Sequence, residues 1–278
     1  KVVLNKLQLE PKKTLDLTRW NEFLYKFKNP KHTLKIGLVG KYVELQDSYK
    51  SILESLIHAG AVSETEIQVI SIHSEKLNVK NVATKLNNLD GVIVAPGFGE
   101  RGIEGKITAI AYARKHQIPF FGICLGMQMA VIEYSRNAVG LSSANSIEMN
   151  ENCKTPVIDL MESQKRVINK GGTMRLGAWD CSLLENSIAH KAYGFETISE
   201  RHRHRYEFND AFKDRIFDKD FVVTGTNPET GLVEIIEYKK HPWFLGVQFH
   251  PEYKSTVSTP HPLFVSFIQA SLTNKSKA

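Results

Sequence analysis

Ile118-Pro119-Phe120-Phe121-Gly122-Ile123-Cys124-Leu125-Gly126-Met127-Gln128 carries an apolar stretch straight into a helix-forming one through Gly-x-Cys-x-Gly. That is the cysteine counterpart of the Gly-x-Ser-x-Gly nucleophile elbow, a sharp strand-to-helix turn of open α/β sheets. Such a turn leaves no room for side chains on either flank. It also sets the thiol at a helix N-terminus, where the dipole favours thiolate. Cys124 is therefore the candidate nucleophile. A lone cysteine is more often a small buried hydrophobe, but the paired glycines and the strand-helix context count against that reading here. Cys153 and Cys181 have no such context and read as packing residues.

Working outward, short apolar runs alternate with helical patterns from residue 34 to about 140: Leu34–Val39 then 47–59, Ile67–Ile72, Gly91–Ala95 then 102–116, Phe120–Ile123 then 125–136. Continuous apolar runs of this length, separated by helices, are the rhythm of a doubly wound, mainly parallel sheet with helices on both faces. After residue 150 the segments 155–160, 173–183, 202–208, 221–226, 231–238 and 243–248 read as strands, and 261–272 as a closing helix. The fold class is thus α/β with an antiparallel β extension, as one domain over 34–273 with a short tail at 274–278. Residues 1–33 read as a linker holding Pro11, Pro30 and one docking helix, in which Leu17, Trp20, Phe23, Leu24 and Phe27 share a face. The first residue is Lys, which fits a processed chain or a piece of something longer.

Composition narrows the class. With 42% hydrophobic and 24% charged residues in 278, the chain is an ordinary globular one rather than a disordered one. A net charge of +6 hints only mildly at anionic ligands. Three scattered cysteines make neither a disulfide framework nor a metal knuckle, so a reduced, cytoplasmic setting is expected. No apolar run reaches membrane-spanning length and no signal-peptide pattern opens the chain, which predicts a soluble protein that is not exported.

A thiolate that attacks an acyl group needs a partner to protonate the leaving group and later activate water. Gly246-Val247-Gln248-Phe249-His250-Pro251-Glu252 supplies one. Period-two alternation along an extended segment puts His250 and Glu252 on one face, so that the carboxylate orients the imidazole. A third element is Ala95-Pro96-Gly97-Phe98-Gly99-Glu100-Arg101-Gly102. Its Gly-x-Gly-x-x-Gly invites a dinucleotide reading, which fails because the run lies on an interior strand, Pro96 disturbs the turn, and His116 and Gln117 stand where a ribose-binding acid is needed. The alternative is an oxyanion turn, with the Gly97 and Leu125 N–H groups as donors. Glu100–Gly105 then has the glycines of a movable lid.

The basic run Arg201-His202-Arg203-His204-Arg205-Tyr206 lacks interleaved stacking aromatics, so a single Arg serving a carboxylate is favoured over nucleic-acid binding. Gly105-Lys106 is followed by Ile107, so no ATP-binding phosphate loop is present, and no metal spacing occurs.

Together the Pro-Gly turn, the elbow and His-Pro-Glu resemble, in order, the triad-type class I glutamine amidotransferases. Gly40-Lys41-Tyr42-Val43-Glu44-Leu45, Gly99–Lys106 and Arg201–Glu207 are similar to blocks of the CTP synthase branch, over roughly residues 34–270. The resemblance implies a glutaminase half that hydrolyses L-glutamine to glutamate and ammonia through Cys124, His250 and Glu252. It implies an oxyanion hole from Gly97 and Leu125, with Gly97, Phe98, Leu125, Gln128, Glu148 and Arg205 holding glutamine. It further implies GTP as an allosteric activator near Lys50 and Arg101, and no cofactor or metal in this chain. ATP, UTP and Mg²⁺ would belong to an N-terminal synthetase (amidoligase) domain that has no counterpart here and that would complete the lid and use the ammonia to make CTP. Neither nucleic acid nor membrane is an expected partner, and a homotetramer is expected of the full-length protein. One point departs from the family: the turn reads Pro96-Gly97-Phe98-Gly99 where many members have a second glycine. The competing readings are a γ-glutamyl hydrolase, a redox-sensing cysteine protein and a non-catalytic assembly module on the same fold.

Overall fold

The computed structural model describes residues 2–10, 16–160 and 174–276. Pro11 of the expected linker, residue 173 of the expected strand at 173–183, and the last two residues of the expected tail lie outside them. In chain order come helices α1 (Val2–Lys6) and α2 (Thr18–Lys28), strand β1 (His32–Gly40), α3 (Lys50–Val62), β2 (Thr65–His73), α4 (Val82–Leu86), β3 (Gly91–Val94) and α5 (Ile103–Lys115). The elbow joins β4 (Phe120–Ile123) to α6 (Leu125–Asn137), and β5 (Ala144–Ser146) and β6 (Thr155–Leu160) follow. The remainder is β7 (Arg175–Leu183), α7 (Ile188–Tyr193), β8 (Thr197–His204), β9 (Tyr206–Phe208), α8 (Lys213–Ile216), β10 (Phe221–Thr226), β11 (Val233–Tyr238), β12 (Phe244–Val247) and α9 (Pro262–Lys275).

The main sheet has the order β2-β1-β3-β4-β12-β11-β10-β7-β8. Its first five strands run parallel, and from β11 onward each pairs antiparallel with its neighbour. The expected architecture is therefore present. β5, β6 and β9 form a separate three-stranded sheet beside it.

Apolar runs that alternate across a pleat must feed two layers, and these do. Val92, Val94 and Phe120 pack with α5 and α6 on one face, while Ile93, Ala95 and Phe121 pack with α3 and α9 on the other. Phe121 sits edge-on to Trp243 and Phe264 with ring centroids 5.5 and 5.3 Å away.

Several boundaries differ from expectation, and four differences change the reading. β1 begins at His32, because the backbone of Lys31 and His32 is already tied to Glu64, and the tail begins later, because α9 runs through Lys275, whose ammonium bonds the Thr33 carbonyl. The strand expected at 202–208 is two strands interrupted at Arg205, β8 in the main sheet and β9 in the small one. Among its described residues the linker holds two helices, α1 and α2, instead of one. α2 packs on α3 through Phe23, which meets His58 edge-on, but Leu17, Trp20 and Phe27 stay about half exposed.

Candidate active site

The elbow is steric before it is chemical. Cys124 sits between β4 and α6 with φ 51° and ψ −105°, an unusual conformation for a non-glycine residue. A Cβ on Gly122 would come 2.8 Å from the Gly126 backbone, and one on Gly126 would come 2.2 Å from the Val94 carbonyl oxygen. Both glycines are thus required by the close approach of helix to sheet. The Cys124 N–H bonds the Val247 carbonyl at 2.7 Å, which locks the elbow to β12.

That bond brings the end of β12 to the thiol. His250 and Glu252 are buried, and His250 Nδ1 lies 2.7 Å from Glu252 Oε1. The pairing does not come from strand alternation: β12 ends at Val247, and Glu252 lies in a 3-10 turn, Pro251–Tyr253. The turn folds the carboxylate back under the ring, and Tyr253 stacks on the imidazole at 4.9 Å. Burial works against the charged imidazolium, but the charge of Cys124, its hydrogen bond and the Glu252 carboxylate raise His250 well above the ordinary histidine value. His250 Nε2 meets no partner with full hydrogen-bond geometry among the described residues, so the coupling to the sulfur is mainly one of charge.

Cys124, His250 and Glu252 open on a cleft of about 380 Å³ that Tyr42, Lys50, Gly97, Phe98, Arg203 and Tyr253 also line. Gly97 lies against Leu125: a Cβ there would be 3.5 Å from the Leu125 side chain. Leu125 opens α6, where N–H groups have no intrahelical acceptor. The Phe98 carbonyl accepts from the Lys41 ammonium, and the Arg203 guanidinium stands 5.7 Å from the Phe98 ring. Glu148 accepts from the Gly99 N–H at 2.8 Å and so ties the turn from outside. Its pKa is raised by burial, against the opposing pull of Gly99, Lys41, Arg205 and Lys106. Arg205 thus lies near enough to feel Glu148, at the break between β8 and β9.

Other expected residues fall elsewhere. Gln128 is buried behind the elbow, its amide nitrogen bonded to the Tyr206 carbonyl and to Gln248. Arg101 lies at the edge, paired with Glu75 at 3.1 Å and standing over the Tyr42 ring. The expected lid is shorter than 100–105. Ile103 onward belongs to α5, and a Cβ on Gly105 would come 1.8 Å from the Ser74 carbonyl oxygen, so Gly105 serves close packing and not a hinge. In the basic run, Arg201 and Arg203 are exposed while His202 and His204 are buried.

Two polar residues at the site had no role assigned from the sequence. Lys106 is 1% exposed, donates to the Ala95 carbonyl at 2.6 Å, and is held down to about pKa 7 by burial and Lys41, against the pull of Cys124 and Glu148. The signal was there: Lys106 falls in step with Ile103, Ile107 and Ile110 on the buried face of α5. Gln248 is wholly buried, and its amide nitrogen is 3.7 Å from Cys124 Sγ. Among the described residues no cluster of metal-ligating side chains occurs, and no helix is long and apolar enough to cross a membrane.

A thiol on a strained elbow, a carboxylate-backed imidazole and helix-terminal N–H groups around one cleft are the parts needed for acyl transfer through a thioester. Comparison with known proteins points the same way. Residues 44–270 match the family model described as glutamine amidotransferase class-I. The glutaminase domain of Trypanosoma brucei CTPS, solved with bound acivicin, superposes with a TM-score of 0.81 at 37% identity, over 86% of this chain and 94% of that one. CTP synthase of Flavobacterium psychrophilum is 64% identical over 277 residues, and that of Clostridium kluyveri 51% identical over 276. These cover 100% and 99% of this chain but 52% and 51% of the relatives, so the chain spans about half the length of the curated proteins it matches.

Proposed function

The chain belongs to the class I glutamine amidotransferase family, as a glutaminase half of the CTP synthase type, and from that premise we propose how its cleft works. The Cys124 thiolate attacks the side-chain carbonyl carbon of L-glutamine. The resulting oxyanion is held by the Gly97 and Leu125 N–H groups, within a turn fixed by Glu148 and Lys106. His250, charged and oriented by Glu252, gives its Nε2 proton to the departing nitrogen, so ammonia leaves and a glutamyl thioester remains. His250 then takes a proton from water, which attacks the thioester and releases glutamate and the thiolate. Phe98, Glu148 and Arg205 hold the amino-acid end, Glu148 facing its ammonium and Arg205 its carboxylate.

The observation that carries this reading is the 2.7 Å His250–Glu252 pair set behind a thiol on a glycine-flanked elbow. The ammonia passes to a synthetase domain in the other half of the protein, where ATP and Mg²⁺ drive amination of UTP to CTP in the cytoplasm. This chain supplies no residues to those groups, and the whole protein is a homotetramer. GTP acts as activator at the outer rim of the cleft, where Lys50 lines the wall and Arg101 flanks Tyr42.

Release of glutamate and ammonia from glutamine, measured with and without GTP for the wild-type chain and Cys124→Ala, tests the proposal. Release that disappears with the thiol supports it. If the wild type is inert and Cys124 also fails to react with acivicin, the proposal falls.

A further inference from the structure

Gln248 stands in the strand-to-turn segment that ends in His250, yet its contacts run toward the sulfur. Its amide nitrogen lies 3.7 Å from Cys124 Sγ, and its oxygen accepts from Gln128 Nε2 at 3.1 Å. Gln128 Nε2 also donates to the Tyr206 carbonyl at 2.9 Å. Both amides are buried.

The direction of this chain is fixed by its far end. A backbone carbonyl can only accept, so the end of the Gln128 amide that meets Tyr206 must be its NH₂ group. The second hydrogen of that group then points at Gln248, which must answer with its oxygen. Gln248 is left with its own NH₂ toward the sulfur, and a flip would cost the bond to Gln128. On the other side of the same carbonyl, His204 Nδ1 lies 3.0 Å away, and His202 Nδ1 is 3.0 Å from His204 Nε2. The Tyr206 carbonyl therefore accepts from both directions. It is a sink for hydrogen bonds, so the chain orients groups and cannot conduct a proton.

We infer that Gln248, aimed by Gln128 through the Tyr206 carbonyl, is a hydrogen-bond donor to the Cys124 thiolate and a further catalytic residue of this site. An N–H directed at sulfur favours the anion over the thiol. It leaves the charge of His250 for the leaving group instead of for stabilising the resting thiolate alone. The inference rests on the reading of Cys124 as nucleophile. The other charged groups that face the sulfur are His250, with Glu252 behind it, beyond β12, and Lys106 from α5. All stay in place when Gln248 is changed.

The test is alkylation of Cys124 by iodoacetamide as a function of pH, followed on its peptide by mass spectrometry, in the full chain. It needs no glutamine, so an inert glutaminase and a wrong role for Gln248 give separate results. In Gln248→Met the alkylation profile is expected to move about one unit to higher pH, which makes the reaction about tenfold slower on the acid limb of the profile, with the alkaline plateau unchanged. Gln128→Met, which frees Gln248 to turn, should give a smaller shift in the same direction. Gln248→Glu keeps the length and the acceptor for Gln128 but sets a carboxylate against the sulfur, and should shift the profile furthest. An unmoved profile in Gln248→Met at wild-type thermal stability overturns the inference. If that variant does not fold, a profile in Gln248→Glu that is unmoved or moves to lower pH does so.

Discussion

The two halves of the main sheet solve burial in opposite ways. β3, β4 and β12 are apolar and buried throughout, whereas β11, β7 and β8 bring Glu234, Glu237, Arg175, Glu200, His202 and His204 inside. The parallel half supplies rigidity: a dry, close-packed floor can hold the strained elbow at Cys124. The antiparallel half supplies direction, through the His202–His204 pair, whose hydrogen bonds run to the Tyr206 carbonyl that also holds Gln128. Such a polar interior is expensive. Arg175 Nη1 bonds Glu234 Oε1 at 2.6 Å, yet burial outweighs the arginine and raises Glu234 to about 7. Glu207 of β9, in the small sheet beside the main one, is likewise buried and raised to about 8.

That contrast can be broken from either side. Phe121→Ala removes the ring between Trp243 and Phe264 and should destabilise the chain by about 3–5 kcal/mol at any pH, as read by denaturant unfolding. A pH-dependent loss would mean that the parallel half is not a purely apolar floor.

The antiparallel half should respond with a slope. Glu234 has a folded pKa above its unfolded value, so the stability it contributes is present below about 4.5 and lost as pH rises through about 7. Arg175→Met removes the opposing charge and raises that carboxyl further, so the loss continues to higher pH. The variant should therefore differ little from wild type in acid and be weaker by about 3 kcal/mol in mild alkali. A difference that does not vary with pH would contradict this.

Lys106 gives the opposite sign of slope. Its folded pKa of about 7 lies below 10.5, so between those values the unfolded chain binds the extra proton and stability rises with pH. Lys106→Met should remove this rise, most visibly as a gain in midpoint temperature at or below pH 7 that shrinks in alkali. It should also slow glutamine hydrolysis by loosening the Ala95-Pro96-Gly97 turn.

What could be read from the sequence is what its local signals carry. β4, β6 and β10 were legible to the residue, because apolar and β-branched runs between turn residues admit few other arrangements. The elbow was legible because its chemistry and its sterics lie within five residues. α7 was not: its N-terminal N–H groups of Ile188 and Ala189 bond the Glu237 carboxylate, 49 and 48 residues away in sequence. Nor was the 3-10 turn that presents Glu252, since alternation predicts a shared strand face and the turn reaches the same pairing by another route. The Gln128–Gln248 link joins residues 120 apart, and nothing local to either one announces it.

The central claim is that Cys124 is acylated by glutamine and relieved by water that His250 activates. The most direct measurement is the mass of the wild-type chain quenched in acid during turnover of glutamine, with the adduct mapped by peptide. A gain of glutamine less ammonia on the peptide holding Cys124 is the predicted result. No adduct from either glutamine or acivicin, or an adduct on Cys153 or Cys181, would contradict it.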